Sequence, residues 1–134
     1  VAMAERFDIE LGIEPELGNV VSSAERARRL IDEIQSPRIR IILDPANLFE
    51  VTNLSEQRRI VSDAIELLAG RIAMAHAKDR NADGSFATAG KGVLDYAHYV
   101  SELKAIGFDG VLVAHGLSAA EAAGVHGFLK QQVA

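Results

Sequence analysis

The chain has 134 residues, of which 49% are hydrophobic, 25% charged and 5% aromatic, and its formal net charge is −5. This composition is typical of one globular domain, and the acidic balance argues against a nucleic-acid partner, which needs a basic surface. The absence of cysteine excludes disulfides, thiolate catalysis and zinc–thiolate sites. No apolar stretch approaches the roughly 18 residues of a membrane span, and no secretory leader is visible, so the expected location is the cytoplasm.

Four short apolar runs predict β-strands, and a helical pattern follows each of them. The alternation of strand and helix is typical of a parallel sheet covered by helices. The four runs are Ile9–Ile13, Ile39–Leu43, Ile72–Ala77 and Val111–Ala114.

Capping residues, prolines and glycines bound the four predicted helices. The predicted starts are Ser22, with Glu25 completing a capping box, Ser55, Asp95, and Ser118, with Glu121 completing a second box. The predicted ends of the first three helices are Pro37, Gly70 and Gly107.

The spacing of the strands, about 30 residues, is one-eighth of the roughly 250 residues of a (βα)₈ barrel. A Rossmann-like sheet is the alternative, but it would place a glycine-rich turn after its first strand. Here the first strand ends in the residues IEPE. The sequence therefore predicts an α/β fold of four βα units, equivalent to the C-terminal half of a (βα)₈ barrel.

Four units cannot close an eight-stranded barrel, and an isolated half would leave unpaired strand edges. We expect residues 1–134 to form one half-barrel domain that is a fragment of a longer protein. The alternative is a homodimer in which two chains pair their open edges.

One side chain able to bind a metal follows each predicted strand. These residues are Glu14, Asp44, His76 and His115. Because the carboxyl ends of barrel strands meet at one face, where barrel enzymes place their active sites, the four should converge. Carboxylate and imidazole together suit one divalent ion such as Mn, Co, Zn or Mg.

Strand alternation also places Glu10 and Arg40 on the inner face of neighbouring strands. We expect them to form an ion pair, because an unpaired interior charge is costly.

The segments IEPE, LDPANL, HAKD, GKGVLDY and HGL, in this order, resemble the xylose isomerase-like barrel superfamily, and within it the sugar phosphate isomerase/epimerase branch. The resemblance spans nearly the whole chain and matches the fifth to eighth βα units. It implies a metal-dependent enzyme that isomerises or epimerises a small sugar or sugar phosphate.

The family's usual site holds one divalent metal with a Glu, an Asp, a His and a second Glu. Glu14, Asp44 and His76 match the first three, whereas His115 stands at the second Glu and Asn47 stands where several epimerases have a His. The resemblance implies metal binding by all four strand-end residues and proton transfer by Glu14 and His115. The change at His115 leaves open a metal- or sugar-binding barrel without turnover.

Three further residues are candidates for substrate contact beside Asn47. Lys78 and Asp79 follow His76 directly, and Lys91 lies between two glycines in a long loop, where backbone amides and a lysine can hold phosphate or hydroxyl groups. A metal-dependent hydrolase of the same superfamily is a further alternative, disfavoured by the missing additional His ligands and by the acidic charge.

Overall fold

A computed structural model describes all residues 1–134. The helices are α1 (Ala2–Phe7), α2 (Ala24–Ile34), α3 (Leu54–Leu68), α4 (Tyr96–Ala105) and α5 (Ala122–Val133), and Pro45–Asn47 form a short 3₁₀ helix. The strands are β1 (Leu11–Ile13), β2 (Ile39–Leu43), β3 (Ile72–Ala77), β4 (Asp79–Arg80), β5 (Phe86–Ala87) and β6 (Val111–Ala114).

The main sheet has four strands in the order β1-β2-β3-β6, and every neighbouring pair is parallel. The helices α2 to α5 follow these strands, so the predicted half of a (βα)₈ barrel is confirmed. Two elements were not predicted from the sequence. They are the short helix α1 and the antiparallel hairpin β4–β5, which stands directly after β3.

The two faces of the sheet have different surroundings, as β2 illustrates. Ile39, Ile41 and Leu43 are at most 2% exposed and belong to the core under the helices. Arg40 alternates with them and lies on the inner face, where its Nε is 3.8 Å from Oε1 of Glu10. The predicted ion pair therefore forms, although the inner face of a four-stranded sheet remains partly open.

Capping side chains fix the starts of α2, α3 and α4 close to the predicted positions. The predicted cap of α5 at Ser118 is wrong by three residues, because the N-cap is Glu121 and no side chain caps it. The predicted cap at Ser22 is wrong by one residue, since the hydroxyl of Ser23 accepts the hydrogen bond from the backbone amide of Arg26. Asn53 caps α3, just before the predicted start at Ser55. Asp95 caps α4 as predicted.

A β-bulge interrupts the pairing of β2 with β3. Ile41 pairs with Ile72, but Ile42 pairs with Met74, so Ala73 is an extra residue in β3. Such a bulge changes which face the following side chains occupy. Ile72, at 6% exposure, therefore belongs to the core, while His76 further along the same strand turns to the inner face.

No helix is long and apolar enough to cross a membrane.

Candidate metal centre

The carboxyl ends of the four main strands bring together the four side chains predicted to bind metal. Glu14, Asp44, His76 and His115 each offer one ligand atom, and these atoms all lie within 4.8 Å of one another. Glu14, Asp44 and His115 each follow the last residue of a strand, and His76 is the penultimate residue of β3. The parallel sheet itself therefore produces the convergence.

Two short polar contacts join the cluster. Nδ1 of His76 lies 3.0 Å from Oε1 of Glu14, and Nε2 of His115 lies 3.0 Å from Oδ2 of Asp44. The same Asp44 oxygen is 4.0 Å from Nδ1 of His76, and the two imidazole rings are 4.4 Å apart at their centroids. The Asp44 side chain is fully buried, so its charge depends on these neighbours for compensation.

The donor set and its spacing fit a divalent ion. Two ligands at about 2.1 Å from one ion are at most about 4.2 Å apart, so the cluster needs only a small contraction to surround a metal. Two carboxylates and two imidazoles are ligands for Mn, Fe, Co or Zn, and more weakly for Mg. Glu14, Asp44, His76 and His115 are therefore the residues that would hold such an ion.

Asn47 and Lys78 lie beside the cluster, as the sequence predicts, and both form polar contacts with its members or with each other. Asn47 is 1% exposed, and its Nδ2 donates to Oε1 of Glu14 at 3.0 Å while its Oδ1 accepts from Nζ of Lys78 at 2.8 Å. Both ends of the amide are thus used within the protein. Asn47 is therefore placed to orient Glu14, and its contact with a substrate stays a prediction.

Lys78 follows the last residue of β3, and its ammonium is directed into the centre. Its Nζ is 3.5 Å from Oδ2 of Asp44 and 3.8 Å from the ring centroid of Phe86. Phe86 also contacts the guanidinium of Arg80, at 4.2 Å, so the β4–β5 hairpin packs against the rim of the site. Nε of Arg80 in β4 donates a 2.5 Å hydrogen bond to the carbonyl oxygen of Ala46, which links the hairpin to the 3₁₀ helix after β2.

Asp79 forms its hydrogen bonds with backbone amides and not with the cluster. Asp79 is 1% exposed, and its two carboxylate oxygens accept four backbone hydrogen bonds of 2.8–3.1 Å. The four amides are those of Arg80, Gly90, Gly92 and Leu94. These bonds hold the loop of residues 90–94 to β4, and the substrate contact of Asp79 stays a prediction.

Lys91 lies on the same loop, and its contact with a substrate stays a prediction. It is exposed, and its charge acts on Glu121 at the start of α5. Gly92 lies so close to Asp79 and Arg80 that an added Cβ would be 2.0 Å from the Arg80 carbonyl oxygen. The glycine is therefore required by the close approach of two backbone segments.

Two tyrosines of α4 donate hydrogen bonds to backbone carbonyls at the ends of β2 and β3. They were not singled out from the sequence. The hydroxyl of Tyr99 lies 3.2 Å from the carbonyl oxygens of both Leu43 and His76, and that of Tyr96 donates to the carbonyl of Lys78. Burial, and after it the charge of Asp44, raises the pKa of Tyr99 well above its ordinary value. The sequence signal for this pair is the spacing of three residues, which places both tyrosines on one face of a helix.

A family model described as the xylose isomerase-like TIM barrel matches residues 1–129. The chain belongs to this family. No curated protein sequence matches it.

Solved structures of the family share the fold at low sequence identity. A xylose isomerase domain protein from Planctomyces limnophilus has a TM-score of 0.75 and 19% identity, with 98% of this chain and 47% of that chain covered. An L-ribulose 3-epimerase has a TM-score of 0.74 and 19% identity, with 98% of this chain and 50% of that chain covered. The 3-keto-D-glucoside 4-epimerase of E. coli has a TM-score of 0.67 and 20% identity, with 98% of this chain and 48% of that chain covered. The chain thus spans about half the length of the family structures that it resembles.

Proposed function

We propose that this chain carries the metal-binding half of a divalent-metal-dependent isomerase or epimerase of a small sugar. The observation that carries the proposal is the convergence of Glu14, Asp44, His76 and His115 within 4.8 Å at the strand ends. The family supports it, because its solved members of the same fold include an L-ribulose 3-epimerase and a 3-keto-D-glucoside 4-epimerase.

The two carboxylates have different roles in this proposal. Glu14 has a side chain 32% exposed, whereas that of Asp44 is fully buried and already accepts a hydrogen bond from the Ala46 amide. Glu14 is therefore the base that takes a proton from the carbon beside the sugar carbonyl. A divalent ion held by the four ligands would supply the electrophile for the sugar carbonyl.

His115 is the second candidate for proton transfer. It stands at the family's second Glu, and its side chain is 36% exposed, so it reaches the same open region as Glu14. In an isomerisation the proton returns to the neighbouring carbon, and in an epimerisation a proton returns to the opposite face of the same carbon. Lys78 lies between Asp44 and Asn47, where an ammonium can bind a substrate oxygen.

The imidazole at position 115 also supports a second candidate function, a barrel that binds metal and sugar without turnover. An imidazole removes one carboxylate from the pair that the family uses. The variant His115→Glu distinguishes the two functions. Activity in the parent supports the enzyme, whereas activity gained only by the variant supports a binding barrel.

Activity also depends on how the half-barrel is completed. The edge strands β1 and β6 each pair on one side only, and Val111 at the β6 edge is 57% exposed. We propose that four further βα units of a longer chain cover these edges. A stable dimer of the 134-residue chain, measured by light scattering, would instead favour pairing of two copies.

Elemental analysis of the purified chain is the first test of the metal centre. We expect about one divalent ion per chain after incubation with manganese, cobalt or zinc. His76→Ala should lose the ion, whereas the control His126→Ala, which removes an exposed imidazole of α5, should keep it. Equal metal content in the two variants would refute the proposed ligand set.

A further inference from the structure

The ligands Asp44 and His76 come from neighbouring strands, but the regular pairing of these strands ends just before it reaches them. The last paired residues of β2 and β3 are Leu43 and Ala75, so Asp44 has no paired residue in β3 and His76 has none in β2. The same strand pair contains the bulge at Ala73, whereas β1–β2 and β3–β6 pair without a register shift. The separation of the two ligands therefore needs a further contact to fix it.

The hydroxyl of Tyr99 provides a contact with both strands at this level. It lies 3.2 Å from the carbonyl oxygen of Leu43, which directly precedes Asp44, and 3.2 Å from the carbonyl oxygen of His76 itself. Tyr99 is 0% exposed, so the two carbonyls are the partners that this buried hydroxyl needs. One hydroxyl proton shared between two strands holds both strand ends against α4.

The two ligands stand at a distance that one metal ion can bridge. Nδ1 of His76 and Oδ2 of Asp44 are 4.0 Å apart, which is too far for a hydrogen bond. Two ligands at about 2.1 Å from one ion are at most about 4.2 Å apart, so the observed separation suits an ion. A contact that fixes the backbone of both strands keeps this gap from closing into a direct hydrogen bond.

We propose that Tyr99 is a positioning residue of the metal centre, which sets the distance between Asp44 and His76 through the carbonyls of Leu43 and His76. The inference rests on the proposed function and adds to its site a residue that touches neither metal nor substrate. Tyr96 lies on the same face of α4 but does not share this role, because its hydroxyl bonds only to the carbonyl of Lys78.

Cobalt binding to the purified chain tests the inference. Tyr99→Phe keeps the ring and removes the hydroxyl. It should weaken cobalt binding by about tenfold and shift the visible absorption bands of the bound ion, because Asp44 and His76 lose their fixed separation.

Tyr96→Phe is the matched control, since it also removes a hydroxyl-to-carbonyl hydrogen bond from a buried tyrosine of α4. Each variant loses one buried hydroxyl, so both should lose stability, but Tyr96→Phe should keep the cobalt affinity and spectrum of the parent. A purely structural role of Tyr99 predicts equal affinities and spectra for the two folded variants, and that result would overturn the inference.

The metal-free chain gives a second readout that does not depend on the proposed function. The imidazoles of His76 and His115 contact the carboxylates that follow β1 and β2, so their nitrogen chemical shifts report the distance between the strand pairs. These shifts should change in Tyr99→Phe and not in Tyr96→Phe. If the parent binds no cobalt, the proposed metal centre fails, whereas unchanged imidazole shifts in Tyr99→Phe would refute the role of Tyr99.

The parent chain decides the question if Tyr99→Phe does not fold. Zinc should then shift the hydroxyl proton resonance of Tyr99 in the parent and leave that of Tyr96 in place, because only the Tyr99 hydroxyl contacts both ligand-bearing strands. A Tyr99 resonance that does not move when zinc binds would overturn the inference.

Discussion

Replacing Asp79 with Asn should destabilise the chain severely although the side chain keeps its shape. The carboxylate accepts four backbone hydrogen bonds, two on each oxygen. An Asn retains one acceptor oxygen and turns an amino group towards the other two N–H donors. Two hydrogen bonds to a charged acceptor, each contributing about 1.5–3 kcal/mol, are lost. Relief of the buried charge offsets part of this loss, so we expect a net cost of about 3 kcal/mol.

Urea unfolding followed by circular dichroism measures this cost. The midpoint should fall by about 1–2 M with an unchanged slope, and the melting temperature should fall by about 10 °C. Asp109→Asn, which makes the same chemical change at an exposed position, should stay within about 0.5 kcal/mol of the parent. If Asp79→Asn were as stable as Asp109→Asn, the assignment of Asp79 as the anchor of the loop would be refuted.

Alkaline pH should destabilise the chain, because the pKa of Tyr99 is higher in the folded state than in the unfolded state. The stabilisation is fully present below the ordinary pKa of 10.0 and is lost as the pH rises beyond it. Tyr99→Phe should reduce this dependence in unfolding measurements at pH values above about 10, and an unchanged pH profile would contradict the argument. Separately, Asn47→Ala should weaken cobalt binding by about 10–100-fold while leaving the fold intact, because Glu14 loses its orienting hydrogen bond. Asn19→Ala, which removes an exposed amide, is the control, and equal affinities for cobalt in the two variants would exclude the orienting role.

The four-unit fold and the convergence of the four strand-end residues follow from the sequence for a simple physical reason. Parallel strands expose their carboxyl ends at one edge, so the residue after each strand is placed by the strand itself. The pair formed by Glu10 and Arg40 follows in the same way from alternation along neighbouring strands. In these cases a local pattern and one rule of topology determine the position of a side chain.

The roles of Asp79 and Asn47 could not be predicted in this way. Asp79 follows β3 like a site residue, but its partners come from residues 90–94, and the path of that loop is set by tertiary packing. Asn47 lies in a 3₁₀ turn after β2 that buries it between Glu14 and Lys78. A strand-end position therefore predicts proximity to a site, whereas burial decides whether the group is free to bind a ligand.

The extra residue at Ala73 separates two tasks within one short strand. Ile72 and His76 are four residues apart, which is two full periods of a regular strand, so without the bulge both would lie on the same face. The bulge at Ala73 places Ile72, Ala75 and Ala77 in the core and His76 on the face that carries the metal-binding cluster. The extra residue thus allows one short strand to begin in the core and still deliver an imidazole to the site. A one-residue insertion between Ala73 and His76 that no further bulge absorbs would turn the imidazole into the core, with a cost in both folding and metal binding.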